Sequence, residues 1–156
     1  MLPQVTFKFE DGLVKVSAPY STRFIPEYKA RGGKFDYNER AWIFPDCLPI
    51  RNWLKDFWGY TPGCMTKFIE VTRAEWDHDD YEGRAETILP GTGYLLVSRN
   101  GRDRNAVLAP GCALVEGGFS PSGGSVKHPS VASLPGTKIM VAVWDGLEFP
   151  KQENQE

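Results

Sequence analysis

Punctuation constrains this fold more than anything else in the sequence. Sixteen glycines and twelve prolines are spread over 156 residues and cut the chain into short apolar segments. Most have the length and two-residue alternation of strands, and the stretch from Asp46 to Trp58 is the clearest at helical spacing. There is no heptad and no internal repeat, which excludes a coiled coil or a solenoid. No apolar run approaches the length needed to span a bilayer, so a transmembrane role is excluded. The opening MLPQVTFKFEDG lacks a basic region followed by an apolar stretch, so no secretory signal is read and a cytoplasmic location is expected. Cys47, Cys64 and Cys112 are too few and too scattered for a disulfide framework or a zinc ribbon, and each is expected to be a buried or half-buried thiol.

Charge and aromatic content divide the chain. Residues 1–60 carry nine Lys/Arg against seven Asp/Glu and hold thirteen of the twenty aromatics; residues 61–156 carry nine against thirteen. The expected organisation is therefore α+β, with a compact unit at 1–62, an acidic β-rich unit at 63–150 and a frayed polar tail at 151–156. A net charge of −2 argues against a protein that coats nucleic acid non-specifically.

In the first unit, Val5–Phe9 and Leu13–Ser17 alternate around Asp11-Gly12, a strong hairpin signal. A helix is expected over residues 21–31, with Ser21 as N-cap, Phe24 and Tyr28 on one face, and Gly32-Gly33 as its stop. Pro26 fits only if the helix proper starts there. Two short strands follow at Lys34–Tyr37 and Ala41–Phe44, then a second helix begun at Asp46 or Cys47 with Pro49 in its first turn. The expected order is ββαββα. The second unit shows strand-like runs at 66–72, 93–97, 105–108, 113–115 and 137–144 and no helical period, which suggests a small antiparallel sheet or barrel.

Motifs of nucleophilic, zinc-protease, phosphate-loop and dithiol chemistry are all absent. The chain has only two histidines, His78 and His128. His78 stands among Asp77, Asp79 and Asp80, which could hold a divalent cation through oxygen or, with Glu82, form a solvated acidic loop that contacts a protein. The run Glu116–His128, with glycines at 117, 118, 123 and 124, is either a flexible connection or a loop whose amides and Lys127 meet an anion or a partner. Arg99, Arg102 and Arg104 are either three phosphate contacts or a charged turn. In the first unit, basic residues interleave with aromatics, as phosphate neutralisation combined with base stacking requires. Phe7, Phe9, Phe35, Phe44, Trp53 and Phe57 are expected in the core; for Tyr20, Tyr37 and Trp42 core and surface are both open.

Residues 7–58 resemble the HARP-type module of annealing helicases and small phage and plasmid proteins. The likeness runs from Phe9–Val16 through Ala18-Pro19-Tyr20-Ser21, Phe24-Ile25 and Tyr28-Lys29. It continues with Gly32-Gly33-Lys34-Phe35-Asp36 and Arg40-Ala41-Trp42-Ile43-Phe44. Arg40 stands where the family usually has Lys, and Pro26 departs from the family helix. The resemblance covers about a third of the chain. It implies a module without catalysis of its own that binds branched or partly single-stranded DNA, through Lys34, Arg40 and Trp42 first and Tyr20, Lys29 and Arg31 second.

The resulting expectation is a non-enzymatic binding protein of phage or plasmid type that contacts DNA or a nucleoprotein complex and uses no cofactor and no metal. A counter-defence inhibitor of the anti-CRISPR type, binding a host defence protein or nuclease directly, is the alternative. A metal-dependent nuclease built on Asp77, His78, Asp79 and Asp80 is a second.

Overall fold

The computed structural model describes residues 3–72, 77–81 and 83–147, with the segment 77–81 given by its backbone. The chain begins with β1 (Thr6–Glu10) and β2 (Leu13–Ser17), paired antiparallel from Thr6↔Ser17 to Glu10↔Leu13. Asp11 and Gly12 connect them with φ of 53° and 73°, the left-handed pair that matches strand twist in a two-residue turn. Helix α1 (Ile25–Ala30) starts one residue before Pro26, where the missing N–H costs nothing. Ser21 is not its N-cap: Phe24 holds that position, the helix begins at Ile25, and the Ser21 hydroxyl is used elsewhere. Gly33 closes α1 against the sheet, since a Cβ there would lie 2.6 Å from the Phe44 ring.

Strands β3 (Lys34–Asp36) and β4 (Ala41–Pro45) follow, then α2 (Leu48–Trp58), entered from an extended Cys47 and ended by Gly59 at φ 75°. The strand order in this first sheet is β1-β2-β4-β3, which leaves β3 on an edge. Helix α2 buries Ile50, Trp53, Leu54 and Trp58, the face its sequence spacing prescribes.

The second half is rich in strands, as expected, although β6 and β7 lie outside the expected runs: β5 (Thr66–Thr72), β6 (Asp77–Tyr81), β7 (Arg84–Ile88), β8 (Leu95–Arg99), β9 (Val107–Leu108), β10 (Cys112–Glu116) and β11 (Lys138–Trp144). They form two antiparallel sheets, β10-β11-β5 and β6-β7-β8-β9. The stretch expected as an acidic loop is the edge strand β6, whose backbone runs in register with β7 from Asp77↔Ile88 to Tyr81↔Arg84. Three aspartates and a histidine hide a strand from propensity, because pairing with β7 decides the backbone instead. Among the described residues no helix is long and apolar enough to cross a membrane.

One hydrophobic cluster runs through both halves, from Val5, Val14 and Phe44 through Trp58 to Leu96, Ile139 and Val143. The division at residue 62 is therefore one of character along the chain, not a gap in the core. Trp58 meets the Tyr94 ring edge-on at 5.3 Å, and the Gly93 amide donates to the Phe57 carbonyl at 2.9 Å. Gln4, near the chain start, uses its side-chain amide like a strand partner: Nε2 donates to the Leu95 carbonyl at 3.0 Å, and Oε1 accepts from the Leu95 amide at 2.9 Å. Cys112 sits beside it, and burial pushes its thiol up to about 12, which leaves it without thiolate chemistry. Cys47, by contrast, is exposed.

Candidate functional site

Strands β3 and β4 pair Phe35 directly with Trp42, and two directly opposed residues of an antiparallel pair share a face. On that face an open groove of about 1170 Å3 is bounded by the segment 17–21, by α1 and by the β3–β4 hairpin. Its wall is a row of rings. Tyr37 meets Phe35 at 5.0 Å, Phe35 meets Trp42 at 5.5 Å, and Trp42 meets Tyr28 at 5.1 Å between centroids. Exposure falls along the row, from 84% at Tyr37 and 39% at Phe35 to 2% at Tyr28. Trp42 is half-buried, so it is both a core side chain and a groove surface. Phe35, expected in the core, lies in this wall instead, because β3 is a three-residue edge strand with no further strand beyond it.

Three cations border the rings: Lys29 on the last turn of α1, Lys34 at the start of β3 and Arg40 in the turn before β4. Among the described residues none of the three has an ion-pair partner. No carboxylate among the described residues lines the groove. The nearby acids are engaged: Asp36 accepts from the Asn38 and Glu39 amides at 2.8 and 3.2 Å, and Glu39 pairs with Lys15 at 2.6 Å. Hydrogen bonds that the Lys15 ammonium donates to Glu10 and then to Glu39 hold it well above the ordinary lysine range. The site therefore presents uncompensated positive charge beside flat apolar rings. Such a surface can neutralise phosphates and stack bases.

Burial, reinforced by the Glu86 charge, raises the Tyr28 hydroxyl far above the usual tyrosine range, so the groove floor stays neutral. That hydroxyl has no hydrogen-bond partner among the described residues. Tyr28→Phe is accordingly expected to keep full stability or gain up to about 1–2 kcal/mol, read from a thermal or urea melt. A loss of similar size would mean the hydroxyl has a partner.

The other sequence candidates fall outside the groove. Arg31 turns away, pairing with Glu27 at 3.1 Å and lying over the Trp53 ring at 4.8 Å. Arg99 is fully buried and is a structural pin: its guanidinium donates to the carbonyls of Ser130 at 2.8 Å, Ser120 at 2.6 Å, Pro121 at 3.1 Å and also Arg104. Arg102 pairs with Asp103 at 3.0 Å, and Arg104 is exposed, so the three arginines make no cluster. The glycine-rich run is pinned by backbone hydrogen bonds, with the Ser120, Gly123 and Ser125 amides donating to the Ala132, Arg102 and His128 carbonyls. Those amides are not free for an anion; Lys127 is exposed, and its carbonyl accepts from Gly83. Asp77, Asp79 and Asp80 lie on β6, but their side chains and that of His78 lie outside the described residues, as does Glu82. Among the described residues no group of three or more His, Cys, Asp or Glu side chains is arranged to hold a metal.

Two residues near the groove are absent from the sequence reading. Glu86, fully buried on β7, accepts from the Ser21 hydroxyl at 2.7 Å and the Thr22 amide at 3.3 Å. Arg84 completes this arrangement, its Nε donating to Glu86 at 3.0 Å. Neither lies in a segment that the sequence marks as a strand, and spacing carries no signal for a partner so far away along the chain.

Comparison of the chain with known protein families, with curated proteins and with solved structures finds no match.

Proposed function

We propose that the protein binds nucleic acid without acting on it chemically, holding an unstacked strand in the groove of the first half. One observation carries this reading: three cations with no ion-pair partner among the described residues border a continuous row of rings that opens to solvent at Tyr37. Phosphates need the charge, and bases need the exposed ring faces. The HARP-type resemblance points the same way, since Lys34, Arg40 and Trp42, its motif residues, all border this groove together with Tyr20 and Lys29. DNA in a single-stranded or forked form is the expected ligand, free or within a nucleoprotein complex, because a paired base offers no face to stack against.

Anisotropy titrations with labelled single-stranded, forked and duplex DNA at two salt concentrations test this. Tighter, salt-sensitive binding to the first two is the expected result, and no preference or no binding at low salt overturns it. Tyr37 supplies a clean probe, being 84% exposed. Tyr37→Ala is expected to weaken single-strand binding by roughly 1–3 kcal/mol while shifting stability by less than about 0.5 kcal/mol.

A second reading rests on β6. This strand of sequence DHDDY forms the edge of its sheet, so its backbone can pair with a partner strand while its composition favours a basic protein surface. An inhibitor of a host defence protein would use such an edge. Capture of a purified basic nuclease by the wild type, lost when Asp79 and Asp80 are replaced by lysine, is the outcome that favours it.

A further inference from the structure

Tyr20 borders the groove from the irregular segment between β2 and α1, and it is 61% exposed. A ring so placed gains little from packing. Its support comes from a distant part of the sequence: the Arg84 guanidinium carbon lies 4.9 Å from the Tyr20 ring centroid. That guanidinium is itself fixed at two points. Nε donates to Glu86 at 3.0 Å, and Nη1 donates to the Asn100 side-chain oxygen at 2.6 Å. The Ser21 hydroxyl, next in sequence to Tyr20, donates to the same Glu86 carboxylate at 2.7 Å. Ring and cation thus hang from one buried anchor.

We infer that Arg84 is a positioning residue of the groove, which backs one face of Tyr20 and so presents the other face to an unstacked base. This inference rests on the nucleic-acid reading above and gives the second half of the chain a part in it. Arginine suits the role because its planar fork can stack on a ring and still donate in two directions, whereas lysine offers only a point charge. Glu86 and Asn100 orient that plane, and Tyr20 takes its orientation from Arg84.

The test uses the full chain and a single-stranded oligonucleotide containing 2-aminopurine, whose fluorescence falls when the base stacks. Arg84→Lys keeps a cation beside Glu86 and is expected to weaken binding by roughly two- to fivefold. It should also reduce the fluorescence change at saturation, a signature that a purely structural role would leave alone. Asn100→Ala, at an exposed position, frees one side of the guanidinium and should act in the same direction to a smaller extent. It decides the matter if Arg84→Lys fails to fold. Both effects are expected to vanish in a Tyr20→Ala background, because Arg84 acts through that ring. Wild-type binding by Arg84→Lys and Asn100→Ala, or losses that persist without Tyr20, would overturn the inference while leaving the groove reading intact. Absence of any strand binding by the wild type overturns both.

Discussion

Replacing Arg99 with methionine is expected to lower stability by roughly 3–5 kcal/mol, the range for removing one side of a buried charged hydrogen-bond network. Methionine has similar reach and no donors, so the carbonyls of Arg104, Ser120, Pro121 and Ser130 would be left in a site built around a guanidinium. Those carbonyls belong to the segment that leaves β8 and to the excursion between β10 and β11. Arg99 therefore ties two long connections to one strand end. Urea denaturation reads the loss, and limited proteolysis should cut the 117–133 region far sooner. Near-wild-type stability would show that the network forms without its centre. Affinity for a strand, measured on the folded fraction, should not change, because Arg99 is fully buried and does not border the groove. Arg99 as a phosphate contact, one of the two roles its sequence context leaves open, would give the opposite pair of outcomes.

Trp58→Ala is the second large effect, at roughly 3–5 kcal/mol for a large ring lost from a packed interior. Trp58 is 1% exposed and bridges α2 to Tyr94, so it belongs to the core of both halves. A shared core unfolds as one unit. A single, earlier transition is therefore expected, in which signals from either half coincide. Two separated transitions would restore a pair of independent units.

The first half was largely legible because its signals are local. Asp11-Gly12 imposes its own turn, Gly59 stops α2, and the spacing from Ile50 to Trp58 names the buried face before any tertiary contact is known, although Leu48, in the same apolar pattern, is exposed. The HARP-type resemblance singles out Tyr20, Lys29, Arg31, Lys34, Arg40 and Trp42; all but Arg31 border one groove. Phe35 was misread because composition does not say which strand lies on an edge. The second half was harder for a related reason. Strand β6 has little strand propensity and is decided by its register with β7, and the arginine run divides into a buried pin, an ion pair and an exposed side chain. Arg84 and Glu86 act across more than sixty residues of sequence, a separation at which spacing carries no information.

In the proposed groove, Lys29, Lys34 and Arg40 together meet phosphates. The most direct test is the salt dependence of single-strand affinity for the wild type and for the combined Lys29→Ala, Lys34→Ala and Arg40→Ala variant, after confirming that both melt alike. Each phosphate contact on a single strand contributes about 0.7 to the slope of log affinity against log salt. Loss of all three contacts should flatten the slope by about 2 and weaken binding at low salt. An unchanged slope in the folded variant would place the phosphates elsewhere on the molecule and contradict the account.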